Sequence, residues 1–335
     1  MPTHCPKRPA AHPNDSLAMG RFAPSPTGQL HLGSLTTALA SYCHIKSIQG
    51  HWLVRIEDTD RQRCRPEFSA QILRDLEHLG LYWDDEVFYQ SRRESIYNEL
   101  LYDGLSNRLY GCGCSRKQLA EYPIYPGFCR PEPSAKYTPS ATSTPDTQPK
   151  LNSELNTDNA YQQRIADFTQ RKVRVQLPNY SIGFLDGIQG MQWANPQQTL
   201  GDVVLRRADG TINYFLAASV DDGLQGITHV MRGLDILPLT PAQIAIMSYL
   251  NLPMVEHWYH LPLVENQHGQ KLSKQNLAEP IDTSSTKKCQ QLILQALNLL
   301  KQDKVELDSP ELMLKQAVQQ WQNKPLQQQR VLGTV

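Results

Sequence analysis

A histidine directly before a predicted helix is the first group in this sequence that could take part in catalysis. The surrounding run, from Arg21 to Ser34, reads RFAPSPTGQLHLGS. Its prolines end a strand that begins near Met19, and residues 32–46 have the pattern of a helix whose N-terminal amides face the turn. Such a turn suits a phosphate group, and the imidazole of His31 can stabilise phosphoryl oxygens during displacement at phosphorus. The run therefore predicts a site for the α-phosphate of ATP.

Two lysines far downstream could act on the same phosphates. The run Lys271-Leu-Ser-Lys274-Gln275 could bring an ammonium group onto the departing pyrophosphate. Each motif alone is ambiguous, because a histidine before a helix is usually a cap and a lysine run is usually a solvated surface segment. Together they predict a nucleotide site assembled from two distant parts of the chain.

Three of the seven cysteines are close in sequence and could bind a metal ion. Cys112 and Cys114 form a CxC pair, and Cys129 follows across a short segment. Two close thiolates and a third from a returning loop can occupy three corners of a tetrahedral zinc site. Three reduced, partly buried thiols are the alternative interpretation. The odd number of cysteines and the lack of a hydrophobic signal segment in the first eighteen residues argue against a disulfide framework.

The HLGS and KLSKQ runs resemble the two signature motifs of class I aminoacyl-tRNA synthetases, HIGH and KMSKS. The similarity continues through RIEDTD at residues 55–60, GDVVLRRADGTINYFLAASVDD at residues 201–222 and GITHVMRGLD at residues 226–235. These motifs look like the glutamate-specific branch, and the resemblance covers most of residues 21–274. The glutaminyl branch is less similar, because it usually carries an acidic residue at the position of Ser25.

The resemblance implies a glutamate pocket whose charges suit that substrate. Glutamate brings two carboxylates and one ammonium, so its pocket needs cationic groups and at least one carboxylate. The positions that match the family's substrate contacts are Arg21, Phe22, Ala23, Pro24, Ser25, Glu57, Tyr214 and Arg232. Each has an ordinary structural alternative: Arg232 could brace the sheet, Tyr214 could be a core aromatic, and Glu57 could pair with Arg55. Which arginine holds which carboxylate stays open.

The resemblance also implies the nucleotide and metal ligands. The expected ATP-binding residues are His31, Gly33, Ser34, Lys271 and Lys274, with His31 and Lys274 catalytic and Mg²⁺ accompanying ATP. One structural Zn²⁺ is expected on Cys112, Cys114, Tyr125 and Cys129. Tyr125 enters this set because the queuosine-tRNA paralogues place a tyrosine four residues before the last cysteine. Tyr122 or a water molecule is the alternative fourth ligand.

The short stretch after the lysine motif narrows the resemblance. A glutamyl-tRNA synthetase would continue there into a large helical anticodon-binding region, whereas this sequence has only residues 275–335. The chain therefore resembles the truncated paralogues, which activate glutamate without tRNA and attach it to queuosine at the wobble position of tRNA(Asp). We expect contacts with the anticodon arm of tRNA(Asp). The alternatives are a tRNA(Glu)-charging synthetase lacking its anticodon domain and a nonenzymatic RNA-binding paralogue.

The order of predicted elements favours an α/β fold. We expect a Rossmann-like class I catalytic domain with an inserted zinc-bearing module and a short C-terminal helical segment. The expected parts are an N-terminal extension (1–18), a first catalytic half (19–111), the inserted module (112–185, with a flexible stretch at 131–159), a second catalytic half (186–250), and the lysine-motif loop with C-terminal helices (251–335). The sequence further predicts a strand at 51–56, helices at 66–80 and 92–108, and a hairpin that pairs 203–207 with 213–218.

Composition agrees with an enzyme and excludes a few classes. The 335 residues are 40% apolar and carry a net charge of zero, so the chain can bury a core and lacks a broadly basic coat for nucleic acid. No apolar run approaches membrane-spanning length. We expect a cytoplasmic monomer that contacts no membrane.

Overall fold

A seven-stranded, mostly parallel sheet forms the centre of the protein. The computed structural model describes residues 17–131, 166, 168–265 and 279–334. The strands of this sheet lie in the order β3-β2-β1-β9-β10-β6-β7, and all pairs are parallel except β6 with β7. The strand bounds are β1 Met19–Phe22, β2 His51–Ile56, β3 Phe88–Tyr89, β4 Leu109–Cys112, β5 Lys172–Val175, β6 Ile182–Asp186, β7 Gly190–Ala194, β8 Val204–Arg206, β9 His229–Gly233, β10 His257–Leu261, β11 Leu263–Glu265 and β12 Val331–Thr334.

Helices pack around the main sheet. Their bounds are α1 Leu32–Ser47, α2 Pro66–His78, α3 Glu94–Glu99, α4 Tyr214–Leu224, α5 Thr240–Tyr249, α6 Thr286–Leu299 and α7 Pro310–Gln319, with a further single turn at Pro196–Thr199. The first helix packs against β1 and against both C-terminal helices. Gly20 allows this close approach, because a Cβ there would lie 2.3 Å from Cγ1 of Ile45.

Two small sheets complete the fold. A three-stranded antiparallel sheet in the order β4-β5-β8 joins the inserted region to the chain on either side of it, and β11 pairs in parallel with β12 near the C-terminus. The expected α/β architecture with a mostly parallel sheet and C-terminal helices is therefore confirmed. The exact domain boundaries stay a prediction. The N-terminal extension up to residue 16, the stretch 132–159 and the lysine motif lie outside the described residues.

The predicted hairpin is wrong in its second half. The first arm is β8, but residues 213–218 begin the helix α4, which Asn213 caps by accepting a hydrogen bond from the amide of Phe215. The consecutive residues 216–223 of this helix are all buried, a pattern that an amphipathic strand cannot produce. The helix predicted at 92–108 is interrupted: α3 ends at Glu99 and continues as a π-helical turn and a 3₁₀ turn.

Three histidines meet at the edge of the sheet where its strands begin. The ring of His229 on β9 lies 5.8 Å from that of His44 on α1 and 4.4 Å from that of His257 on β10, between ring centroids. Burial lowers the pKa of both His44 and His229 to about 4, and the neighbouring histidines add to this shift. The Nε2 atom of His44 is buried without a hydrogen-bond partner among the described residues. Both rings are therefore neutral in the folded protein at neutral pH.

Acid is expected to destabilise the protein through these histidines. Their pKa values are lower in the folded than in the unfolded chain, so unfolding takes up protons as the pH falls from about 6.5 to about 4. The free energy of unfolding should fall through this window, by up to about 3 kcal/mol for a ring as buried as His44. Urea denaturation across that range measures the loss. A His44→Gln, His229→Gln variant should show a flatter pH dependence, and His78→Gln, at an exposed site, should not. Equal slopes in all three proteins would contradict the assignment.

Candidate active site

His31 caps the helix whose amides form the predicted phosphate site. Its Nδ1 accepts a hydrogen bond from the backbone N–H of Ser34 at 3.3 Å, and the backbone N–H of His31 donates to Oγ of Ser34 at 2.9 Å. This reciprocal capping box fixes the start of α1. Because Nδ1 accepts, the proton of the neutral ring is on Nε2, where it can be donated to an anion. The capping role and the predicted phosphate role therefore use different ring nitrogens.

A cavity of about 210 Å³ lies beside this cap. It is lined by His31, Gly33 and Ser34 from the helix start, and by Gly233, Asp235 and the segment 261–264 from the neighbouring strand ends. A side chain at Gly233 would crowd Asp235 in this wall of the cavity, because a Cβ there would lie 2.6 Å from Oδ1 of Asp235. Asp235 is a lining residue that the motif comparison did not single out.

Both ends of the lysine-bearing segment are fixed at this cavity. The described chain stops at Glu265, directly after the lining residue Val264. It resumes at Glu279, and Pro280 forms an antiparallel bridge with His31 while the amide of Ile281 donates to the carbonyl of Leu30 at 2.9 Å. Lys271 and Lys274 themselves lie outside the described residues. The fold thus joins both ends of the KLSK segment to the predicted phosphate site.

Beside the cavity, a row of polar side chains crosses the middle of the main sheet. Five adjacent strands contribute one residue each to it, in the order Arg55 (β2), Arg21 (β1), Arg232 (β9), His260 (β10) and Asp186 (the end of β6). All five are at most 7% exposed. Buried charges are costly unless paired, so the row requires counter-charges from the layer above the sheet.

Asp222 on α4 provides the central counter-charge. Its carboxylate is fully buried and accepts hydrogen bonds from Nε of Arg21 at 2.9 Å and from Nη2 of Arg21 at 3.3 Å. Nη1 of Arg55 lies 2.8 Å from Oδ1 of the same carboxylate. Burial alone would raise the pKa of Asp222, but the two guanidinium groups reverse that effect and hold it well below its usual range. Asp222 therefore stays ionised and fixes both arginines.

Arg232 is held by four neutral side chains. Its Nη1 donates to the hydroxyl of Tyr214 at 2.9 Å and to Oε1 of Gln243 at 2.8 Å, and its Nη2 donates to Oγ1 of Thr240 at 2.7 Å. Its Nε donates to Nε2 of His260 at 3.0 Å. Gln243 also donates to Asp222 at 2.7 Å, so it links the surroundings of Arg232 to those of Arg21. Among these contacts no carboxylate neutralises Arg232 directly, and its positive charge remains available to an anion.

Glu57 directly follows β2, and its side chain is 10% exposed. Its Oε1 lies 3.4 Å from Nη2 of Arg55, which is the internal pairing considered as an alternative to substrate binding. The backbone N–H of Glu57 donates to the carbonyl of Pro24 at 3.0 Å, and this bond ties the Pro24–Ser25 turn to it. Burial raises the pKa of Glu57 even though Arg55 and Arg21 oppose the shift. An added cation beside this carboxylate would offset its desolvation.

The structure brings most of the predicted glutamate-binding residues together. Arg21 and Glu57 are joined through Arg55 and Asp222, and Tyr214 bonds Arg232 directly. Phe22 is buried and stacked on Trp52, and it supports the turn rather than facing solvent. The partners that the sequence comparison missed are Asp186, Asp222, Thr240, Gln243 and His260. An acidic pair in an apolar helix, Asp221 and Asp222, was the available signal for one of them.

The three cysteines form a compact cluster at the end of β4. The sulfur atoms of Cys112, Cys114 and Cys129 lie within 4.8 Å of one another, and the Sγ atoms of Cys114 and Cys129 are 3.5 Å apart. Thiolates on one tetrahedral zinc ion, at their usual bond length, are separated by about 3.8 Å. The cluster could therefore hold a metal ion with little rearrangement.

Tyr125 contacts the cysteine cluster through its hydroxyl. Its hydroxyl is 3.7 Å from Sγ of Cys112 and accepts a hydrogen bond from the backbone N–H of Cys129 at 2.8 Å. The other candidate, Tyr122, is 43% exposed and packs edge-on against Phe128. Burial raises the pKa of the Cys112 thiol, but hydrogen bonds from Arg174, Cys114 and Tyr125 outweigh it and lower the pKa to about 7. The donor set thus includes one thiol that is readily ionised.

A buried aspartate from the second half of the chain holds together the elements around the cysteine cluster. Asp202 accepts hydrogen bonds from the hydroxyl of Tyr110 at 2.7 Å and from the amide of Leu177 at 2.9 Å, and Arg130 pairs with it at 3.0 Å. Gly201, at φ +69°, lets the backbone of Tyr125 approach, since a Cβ there would lie 2.5 Å from the carbonyl oxygen of Tyr125.

Comparison with known proteins agrees with this arrangement. Residues 18–328 match the family described as tRNA synthetases class I (E and Q), catalytic domain. The chain belongs to this family. As a class I tRNA synthetase it is a ligase. The two runs that resemble the class I signatures lie at the cavity of His31 and in the segment joined to that cavity. No helix in the described ranges is long and apolar enough to cross a membrane.

Curated relatives match this class I synthetase over 80% or more of their own length. The chain is 44% identical over 318 residues to the Glutamyl-Q tRNA(Asp) synthetase of Acinetobacter baylyi, covering 94% of this chain and 97% of that protein. The proteins of the same name from Neisseria gonorrhoeae and Cupriavidus metallidurans are 40% and 42% identical, over 90% and 79% of this chain and 95% and 80% of theirs.

Solved structures of glutamate-specific enzymes share the fold of this class I synthetase. A glutamate tRNA ligase of Elizabethkingia meningosepticum, crystallised in complex with its amino acid, superposes with a TM-score of 0.69 at 25% identity. The glutamate-tRNA synthetase of Elizabethkingia anophelis gives 0.68, also at 25% identity. The first match covers 93% of this chain and 66% of the ligase, and the second covers 93% and 67%.

Proposed function

We propose that this protein activates L-glutamate with ATP in the absence of tRNA and transfers it to queuosine at the wobble position of tRNA(Asp). The observation that carries the proposal is the match to proteins named Glutamyl-Q tRNA(Asp) synthetase over as much as 97% of their length. By contrast, the chain spans only about two thirds of the glutamate tRNA ligases that share its fold. The named relatives therefore match this chain over 80% or more of their own length, whereas the longer ligases match it over only about two thirds of theirs.

The charges around the sheet row support glutamate as the amino acid. Arg232 carries a positive charge, and neutral side chains orient it. Arg21 is linked to Arg232 through hydrogen bonds to Asp222 and Gln243. In the proposal these arginines receive the two carboxylates and Glu57 receives the ammonium. The substrate cation would then offset the cost of keeping Glu57 ionised. Tyr214, Ser25 and the backbone of residues 22–24 complete the proposed pocket.

The first chemical step is an in-line attack of a glutamate carboxylate oxygen on the α-phosphate. A P–O bond forms to the carboxylate, the bond to the β,γ-phosphates breaks, and the products are glutamyl-adenylate and pyrophosphate. His31 donates its Nε2 proton in a hydrogen bond to the crowded phosphate, and the helix amides at Gly33 and Ser34 add positive potential. Lys274, with Lys271, neutralises the pyrophosphate as its charge grows.

In the second step, a hydroxyl of the queuosine cyclopentenediol attacks the activated carbonyl. An ester bond forms, the hydroxyl proton is released to solvent, the acyl–phosphate anhydride bond breaks, and AMP leaves with the electron pair. This step needs the anticodon arm of tRNA(Asp) to reach the same pocket. The names of the relatives support this substrate for the second step.

Two metal ions complete the proposal. Mg²⁺ accompanies ATP and supplies charge neutralisation on the phosphates. Zn²⁺ is the ion that suits a donor set of three thiols and a phenol, and Cys112, Cys114, Cys129 and Tyr125 would hold it. The zinc would act structurally, by joining β4 to the returning loop.

Cys112→Ser is expected to release the zinc and to weaken RNA transfer more than adenylate formation. The reason is that the cluster lies in the inserted module, away from the phosphate cavity, so losing a thiolate should loosen the loop while leaving the main sheet intact. Metal analysis, pyrophosphate exchange and transfer assays on one preparation measure the three effects. Cys43→Ser, at a buried cysteine of α1, is the control. Wild-type protein that contains no zinc when purified without chelators would overturn this prediction.

The function itself is tested by transfer of radiolabelled glutamate. Transfer to tRNA(Asp) that carries queuosine, but not to tRNA(Asp) without it, is the expected result. Mapping the label to the acceptor end of tRNA(Glu) would favour a tRNA(Glu)-charging synthetase. Complete lack of glutamate-dependent pyrophosphate exchange in metal-replete protein would favour a nonenzymatic RNA-binding paralogue.

A further inference from the structure

Three buried residues on adjacent strands form a chain of hydrogen bonds that ends on Arg232. Asp186 closes β6, His260 lies on β10 and Arg232 lies on β9. Oδ2 of Asp186 is 2.6 Å from Nδ1 of His260, and Nε2 of His260 accepts from Nε of Arg232 at 3.0 Å. Neither Asp186 nor His260 is more than 1% exposed. Nothing in the proposed chemistry of glutamate or ATP uses these two side chains directly.

The bond from Arg232 defines the tautomer of His260. A guanidinium N–H can only donate, so Nε2 of the ring must accept and the ring proton must be on Nδ1, where it is donated to Asp186. Burial lowers the pKa of His260 to about 4, and the charge of Arg232 adds to this shift while Asp186 opposes it. The ring is thus a neutral link between an anion and a cation.

Asp186 is itself held rigidly. Its Oδ1 accepts from the backbone amides of Ile188 at 3.0 Å, Gln189 at 2.8 Å and His260 at 3.2 Å. Three backbone bonds leave the carboxylate little rotational freedom, so it can fix the plane of the imidazole. Trp258 stacks parallel to that ring, with 6.4 Å between centroids, and also lies under the Arg232 guanidinium.

We propose that Asp186 and His260 are positioning residues that hold the guanidinium of Arg232 in the plane required to bind a glutamate carboxylate. This proposal rests on the proposed function, because it takes Arg232 as a substrate ligand. A neutral imidazole orients the guanidinium at Nε without cancelling its charge, whereas a carboxylate in direct contact would do so. Nη1 of Arg232 is then held against the hydroxyl of Tyr214, a residue of the proposed pocket, and the charge for the substrate is retained.

The test compares two replacements of His260 by their glutamate kinetics. His260→Gln keeps an oxygen that can accept from Arg232, and His260→Leu removes it. In pyrophosphate exchange, His260→Leu should raise KM for glutamate by about 10- to 100-fold, the usual effect of losing a hydrogen bond to a charged group, while KM for ATP stays unchanged. His260→Gln should restore most of the loss. Asp186→Asn should raise KM for glutamate in the same way as His260→Leu.

A control and a second measurement separate the possible failures. His257→Leu, at an exposed position of the same strand, should leave both KM values unchanged. The ¹⁵N spectrum of the folded wild-type protein should show His260 neutral and protonated at Nδ1. A folded His260→Leu variant with normal KM for glutamate, equal losses for glutamate and ATP, or an Nε2-protonated ring would each overturn the positioning role. If wild-type protein shows no glutamate-dependent exchange but His260 has the expected tautomer, the proposed function fails and the hydrogen-bonded chain stands as a structural brace.

Discussion

Arg232→Ala is expected to raise KM for glutamate by a free-energy equivalent of about 2 to 4 kcal/mol, or about 30- to 1,000-fold. The guanidinium is the cation of the sheet row that has only neutral hydrogen-bond partners, so in the proposal its charge is balanced by the substrate. Removing it leaves a carboxylate of glutamate in a buried site without a counter-charge. The loss should fall on glutamate binding and leave KM for ATP nearly unchanged.

The measurement is pyrophosphate exchange over a glutamate titration at saturating ATP. Arg74→Ala, at an exposed arginine of α2, is the matched control because it removes the same group outside the site. Circular dichroism and thermal unfolding show whether the variant keeps its fold. A folded Arg232→Ala protein with unchanged KM for glutamate would remove this residue from the proposed pocket.

Lys274→Ala is expected to slow adenylate formation by about 100- to 1,000-fold while glutamate affinity stays largely intact. In the proposal this ammonium contacts the leaving pyrophosphate, whose negative charge grows only as the reaction proceeds. The segment that carries it leaves and rejoins the described fold at the His31 cavity, which supports this partner. The effect should therefore appear in kcat more than in either KM.

Single-turnover adenylate formation at saturating substrates measures the chemical step without product release. Gln275→Ala changes the next residue of the same motif and should have a small effect, which makes it the local control. If Lys274→Ala altered only glutamate affinity, the assignment of Lys274 to the leaving group would be wrong.

Local patterns in the sequence were sufficient for much of the fold. The positions of proline and glycine correctly predicted the end of β1 and the start of α1. The spacing of apolar residues correctly predicted α2. The strand at residues 51–56 also agrees with the structure in both bounds. These elements are determined by neighbouring residues. The start of α4 was misread because its tyrosine and phenylalanine favour strands, and tertiary burial on all sides outweighed that local preference.

The candidate site was only half predictable for a related reason. Motifs indicated which residues match the family's substrate contacts, and the cysteine spacing indicated a cluster that could hold a metal ion. The counter-charges could not be found this way, because Arg21 and Asp222 are 201 positions apart and become neighbours only when β1 and α4 are packed. Similarly, His260 and Asp186 are 74 positions apart. Pairing over such distances depends on strand order, and a single sequence does not display strand order.

Each of five adjacent strands carries one buried polar residue of the row, so correct folding depends on the register in which these strands pair. Side chains alternate between the two faces of a strand, so a slip of one residue in β1 or β9 would turn Arg21 or Arg232 away from α4 and α5 into the opposite apolar layer. A guanidinium stranded there would cost several kcal/mol, of the order of a whole domain's net stability. Misregistered sheets are therefore excluded by electrostatics as well as by packing, and only the chain that has paired its strands correctly can close the pocket.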